Sequence, residues 1–110
     1  MAIKRGDIVL AAHADFGKPR PAVVVQADEF NRNPVTVLVC PLTSDITEKL
    51  PLRPIILPAP GTGLRERSQI MSDRLLALRR DRIRGVLGTI DTATIDRLNR
   101  ALLVVLGLAR

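Results

Sequence analysis

Short apolar runs, each closed by proline, glycine or a polar cluster, fill the first two thirds of the chain. Gly6-Asp7 precedes a strand predicted over Ile8 to Ala12, and a loop, His13 to Pro19, holds the turn-forming Asp15-Phe16-Gly17. A second strand is predicted from Pro21 to Gln26, followed by the polar stretch 28–34. Val35 to Leu42 is continuously apolar and β-branched, the pattern of a central strand, and Thr43-Ser44-Asp45 ends it. Leu52 to Leu57 predicts a fourth strand, which Pro54 confines to an edge or a bulge. Beyond the loop Pro58 to Gly63, alternation predicts a fifth strand over Ser68 to Leu78 and a sixth over Gly85 to Ile90. Short strands at regular intervals with turn signals between them imply a small barrel.

The last segment changes period. Asp91 can cap a helix with Thr92 in its first turn, and Ile95, Leu98, Leu102, Val105 and Leu106 recur at helical spacing. Asp96, Arg97, Asn99 and Arg100 occupy the opposite face, but Leu102 to Leu106 is apolar all round. Such a helix has to be covered on every side. Docking on a small barrel covers one face only, so the remainder is expected to form a homodimer interface. The chain reads as one domain over 1–110, with a barrel over about 5–90 and a helix over about 91–108.

Composition narrows the chemistry. Phe16 and Phe30 are the only aromatic residues, so the core must be Val, Leu and Ile, and stacking platforms for bases are scarce. The net charge is +6, and 14 of the 17 basic residues are Arg. Seven lie between Arg65 and Arg84, facing only Glu66, Asp73 and Asp81, which suits a phosphate-bearing or acidic partner as well as a solubilising face. Cys40 is single, which excludes an internal disulfide and fits a reducing compartment, and its apolar neighbours mark it as a core thiol. One Cys and one His cannot make a zinc site of the usual kind, and no metal or cofactor is expected. The N-terminus lacks the apolar centre of a signal peptide, and no run of about 18 apolar residues exists. A cytoplasmic location without membrane contact is therefore expected.

Against this background Lys18-Pro19-Arg20-Pro21-Ala22 stands out. Pro21 pushes Arg20 out of the helical region, and each proline fixes its own φ. A guanidinium on so stiff a stem can hold a phosphate with forked, permanently charged donors. Taken alone, the same residues also describe an ordinary exposed arginine at the start of an edge strand.

Four blocks in order decide between these readings: Arg5-Gly6-Asp7-Ile8-Val9, Lys18 to Gln26, Phe30-Asn31-Arg32, and Val39-Cys40-Pro41-Leu42-Thr43-Ser44. With Ser68-Gln69-Ile70-Met71-Ser72-Asp73 and the terminal helix, they resemble the MazF/PemK family of toxin endoribonucleases over essentially the whole chain. The resemblance implies a mainly β, SH3-like small barrel of the CcdB/MazF toxin type with a C-terminal helix, paired as a homodimer. It implies the toxin of a type II toxin-antitoxin system, which cuts single-stranded RNA at specific sequences without a metal. It further implies a cognate antitoxin whose disordered tail folds on binding.

In that chemistry the 2′-hydroxyl attacks phosphorus, leaving a 2′,3′-cyclic phosphate and a 5′-hydroxyl. The resemblance makes Arg20 and Thr43 the catalytic pair, Arg20 stabilising charge on the phosphate. It also makes Lys18, Ser44 and Gln69 RNA-binding residues. Asp73 and His13 are the candidates for further catalytic duty. Plasmid-type members carry an Arg two residues before the position of Asp73, where Met71 stands here, and a His further into the first loop than His13. The first loop is also shorter and lacks the usual acidic residue, which favours a simpler Arg20/Thr43 site. Two alternatives share the fold. A CcdB-like poison of DNA gyrase would need a Trp-Gly-Ile tail, whereas this chain ends Gly107-Leu108-Ala109-Arg110. A catalytically silent RNA- or antitoxin-binding module would not need Arg20 and Thr43.

Overall fold

In a computed structural model, which describes residues 2–48 and 52–109, seven strands precede one helix. They are β1 (Asp7–Ala11), β2 (Arg20–Val24), β3 (Thr36–Thr43), β4 (Ile55–Ile56), β5 (Ser68–Ile70), β6 (Leu76–Arg79), β7 (Ile83–Thr89) and α1 (Thr92–Val105). Met1, Lys49 to Pro51 and Arg110, which the expected 1–110 domain includes, lie outside the described residues.

The strands run β4-β5-β3-β2-β1-β7, with β6 also on β3, and every pairing is antiparallel. The architecture is the expected one, mainly β with a C-terminal helix. β3 is its axis. One edge of β3 pairs with β2 through Val39 to Pro41, while the other meets β6 at Thr36 to Val39 and β5 at Leu42 to Thr43.

Neighbouring residues in the apolar runs feed opposite faces of the curved sheet. Val9, Val24 and Val39 enter one buried cluster, whereas Ile8, Val23 and Cys40 enter the other. Two-sided burial explains why these runs are continuous rather than alternating. Each Val or Ile so buried contributes roughly 1.5–3 kcal/mol. α1 closes the second cluster through buried Leu98, with Ile95 and Leu102 packed beside it. Asp91 caps the helix by accepting from the Thr94 N–H at 2.8 Å. At the other end Gly107, with φ of +74°, lets its own N–H bond to Val104 O while Leu108 N bonds to Leu103 O. These two hydrogen bonds end the helix at Val105, short of the expected boundary at about 108. Among the described residues no helix is long and apolar enough to cross a membrane.

Three predicted strands are corrected. The run Ser68 to Leu78 is not one strand, because a 3-10 turn over Ser72–Arg74 separates β5 from β6. Pro41 supplies the reason. Its carbonyl accepts from Met71 N at 2.9 Å, so its missing N–H faces the same edge and the ladder breaks there. The buried Ser72 then turns inward and donates its hydroxyl to Leu52 O. The run Leu52 to Leu57 shrinks to Ile55–Ile56, because Arg53 also turns inward, toward Asp73. The last strand begins two residues earlier than expected, at Ile83.

Candidate active site

β2 opens on Arg20 and β3 closes on Thr43, so both residues lie at the same end of the sheet. The β2–β3 register pairs Ala22 with Pro41, and continued by two residues it sets Arg20 level with Thr43. Residues level across an antiparallel pair share a face of the pleat. That face carries the first core cluster, and Phe16 and Leu76, which pack against the cluster, also line a cavity of about 550 Å³ beside it. Arg20, Thr43, Ser44, His13 and Arg74 bring polar groups to that cavity, and Asp15 and Asp45 also line it.

Each polar group has a definable state. Arg20 is exposed and donates from Nε to Phe16 O at 3.3 Å, which ties the guanidinium to the 3-10 turn Ala14–Phe16. Its two terminal nitrogens have no partner among the described residues and remain available to an anion. Thr43 Oγ1 accepts from Asp45 N at 3.1 Å, which leaves the hydroxyl proton free to donate into the cavity. His13 caps the 3-10 turn, its Nδ1 accepting from Asp15 N at 3.1 Å. The Asp15 carboxylate lies 3.7 Å from the same nitrogen and the Phe16 ring centroid 5.3 Å from the imidazole. With Nδ1 an acceptor, a neutral ring carries its proton on Nε2.

Three of the expected site residues stand elsewhere. Asp73 is outside the cavity and holds Arg53 in a two-pronged pair, with Nε–Oδ1 at 2.7 Å and Nη2–Oδ2 at 3.1 Å. Hydrogen bonding to Arg53 is the main cause that keeps its carboxyl below the usual carboxylate value. Paired in this way outside the cavity, Asp73 does not face the groups gathered around Arg20 and Thr43. Gln69 is buried, its amide donating to Thr47 O at 2.7 Å and accepting from Thr47 N at 3.2 Å. It fastens the chain beyond Thr43 onto β5 rather than presenting itself to RNA. Lys18 is exposed on the first loop two residues from Arg20 but does not line the cavity.

Arg74 is the cationic cavity residue that the sequence did not single out. Within the basic stretch 65–84 it counts only as charge. The turn that breaks the fifth strand points it to the cavity, and that turn follows from Pro41 and the Arg53–Asp73 pair. Cys40 is fully buried, and burial pushes its thiol up to about 12, as expected of a core residue. Among the described residues no group of three or more His, Cys, Asp and Glu gathers as a metal cluster.

Solved toxin structures share this fold. The Mycobacterium tuberculosis toxin MazF-mt6 superposes with a TM-score of 0.80 at 16% identity, covering 92% of this chain and 96% of that one. A mycobacterial endoribonuclease in complex with its cognate antitoxin superposes with a TM-score of 0.77 at 24% identity, covering 96% and 94%. The class of fold is thus a mainly β half-barrel with a terminal helix. The sequence resolves the family. The model of the PemK-like, MazF-like toxin of type II toxin-antitoxin system matches residues 4–106, and the chain belongs to that family. A probable endoribonuclease MazF of Mycolicibacterium smegmatis is 38% identical over 109 residues, covering 97% of this chain and 99% of that protein.

Proposed function

We propose that this protein is the toxin of a type II toxin-antitoxin pair and acts as an endoribonuclease on single-stranded RNA, with the cavity between Arg20 and Thr43 as its active site. One observation carries the reading. An arginine with two open nitrogens and a threonine hydroxyl with a free proton stand level at one end of the sheet and line one cavity.

The substrate's 2′-oxygen forms a bond to phosphorus while the bond from phosphorus to the 5′-oxygen breaks. The products are a 2′,3′-cyclic phosphate and a 5′-hydroxyl, and no metal is called on. Negative charge builds on the phosphoryl oxygens along the way. Arg20 donates to those oxygens, and a preorganised donor of this kind contributes roughly 3–4 kcal/mol to the transition state. The Thr43 hydroxyl adds a neutral donor and Arg74 a second cation. The 2′-proton passes to solvent and the departing 5′-oxygen takes one back from solvent, while the Nε2–H of His13 is arranged to hydrogen-bond that oxygen as it leaves. Charge stabilisation, rather than a strong base, carries the reaction. Lys18 and Ser44 hold the flanking backbone at the rim.

Exposed Leu103, Leu106 and Leu108 extend α1 as an apolar edge. That edge supports a homodimer and a surface for the cognate antitoxin, as the solved antitoxin complex of a mycobacterial endoribonuclease suggests by analogy. The protein acts in the cytoplasm on cellular mRNA, so growth stops when antitoxin is lost. A gyrase-poisoning activity is not favoured, since the curated relatives are named as endoribonucleases. Purified protein incubated with RNA in EDTA tests the proposal. It is expected to leave fragments that polynucleotide kinase labels without prior phosphatase, and intact RNA would overturn it.

A further inference from the structure

We infer that the RNA track continues past Arg20 into a second cavity, which takes the base of a nucleotide flanking the scissile phosphate and selects bases that carry an exocyclic amino group. This subsite rests on the endoribonuclease reading above. The second cavity, of about 470 Å³, shares Arg20, Leu42 and Ser44 with the first. A phosphate held on Arg20 therefore sits at the junction of the two, and an adjoining nucleotide reaches the second without leaving the protein.

The far wall is built for recognition. Leu64 and Leu87 give it apolar surface, and Arg65 and Glu66 give it opposite charges. Both charged side chains are exposed, and neither is in an ion pair among the described residues. A carboxylate accepts from the exocyclic amino group of cytosine, adenine or guanine, whereas uracil offers it only N3–H, flanked on both sides by carbonyl oxygens that repel it. With no aromatic residue in this wall, hydrogen bonding rather than stacking must discriminate.

The wall is also fixed in place. Gly63 has φ of +68°, and a Cβ there would lie 2.2 Å from Leu87 O, so only glycine lets the loop press this closely on β7. A Cβ at Gly88 would lie 2.4 Å from Gly61 O. Thr89 N donates to Gly61 O at 2.9 Å, and Thr62 Oγ1 donates to Ala59 O at 2.9 Å and accepts from Leu64 N at 3.2 Å. A loop so tied fixes the backbone that leads into Arg65 and Glu66, the support that base selection requires.

The test is to cleave a long synthetic single-stranded RNA of even base composition in EDTA and to sequence the 5′-hydroxyl ends. Wild type is expected to disfavour uracil at one nucleotide beside the cut, and Glu66→Gln to relax that bias by about tenfold. Arg65→Ala is expected to shift preference at the same nucleotide. Melting temperatures of both variants should match wild type, because both side chains are exposed. Unchanged end profiles in both variants, or free acceptance of uracil on both sides of the cut by wild type, would overturn the subsite while leaving the nuclease intact. Failure of wild type to cut at all would instead overturn the reading beneath it.

Discussion

Two arginines in this molecule carry the same charge and do opposite things. Arg53 is 8% exposed, and Asp73 occupies its guanidinium through two hydrogen bonds. Together with the bond from Ser72 to Leu52 O, this pair clamps the segment before β4 onto the turn between β5 and β6. Arg20 is exposed and is anchored only through Nε. Its terminal nitrogens face no partner among the described residues. Availability, not charge, separates a structural arginine from the one proposed to hold the substrate phosphate. The two are linked, because the clamp holds the turn that brings Arg74 to the cavity containing Arg20.

The contrast can be broken at either side. The largest effect is expected from Arg20→Ala, which should lower the cleavage rate by roughly 100- to 1000-fold, the cost of one transition-state donor, with the melting temperature unchanged. Thr43→Val should cost roughly 10- to 100-fold, the worth of a hydrogen bond to a charged oxygen, while Thr43→Ser retains most of the rate. Arg53→Ala should act on the fold instead. Asp73 is 37% exposed, so losing its partner should cost about 1–3 kcal/mol in denaturant unfolding, less than for a fully buried pair.

The pair also predicts an acid dependence. Asp73 titrates below its usual value of 3.8 in the folded state. Its stabilisation is therefore complete above that value and is lost as pH falls through the lower folded one. The stability gap between wild type and Arg53→Ala should hold from neutral pH to about 4 and close below it, as acid-unfolding curves would read. The smallest effect concerns Cys40. With its thiol pushed up to about 12, native protein should resist alkylation at pH 8 and react only on unfolding.

Sequence reasoning reached furthest where local pattern and tertiary burial agree. The runs around Val9, Val23 and Val39 become strands because both faces are buried, and Asp91 caps the helix as its residue type predicts. It failed at Ser68 to Leu78, where alternation favours a strand. The interruption there is set by Pro41, on a different strand, and by partners some 20 residues away. The candidate cavity follows the same rule. Arg20 and Thr43 meet because two strands share a register, which motif spacing reports indirectly. The partners of Asp73 and Gln69 could not be read from local pattern, because Arg53 and Thr47 lie at long range and engage these polar side chains in the fold. Arg74 escaped notice for the complementary reason, since only the unexpected turn delivers it to the cavity.

The most direct measurement sets the two arginine variants side by side, in single-turnover cleavage of one RNA in EDTA below the melting temperature of either. Wild type and Arg53→Ala should both cut and leave 5′-hydroxyl ends, Arg53→Ala within about tenfold of wild type, while Arg20→Ala falls by at least about 100-fold. Cleavage by Arg20→Ala at the wild-type rate, or an absolute need for added magnesium, would contradict the account.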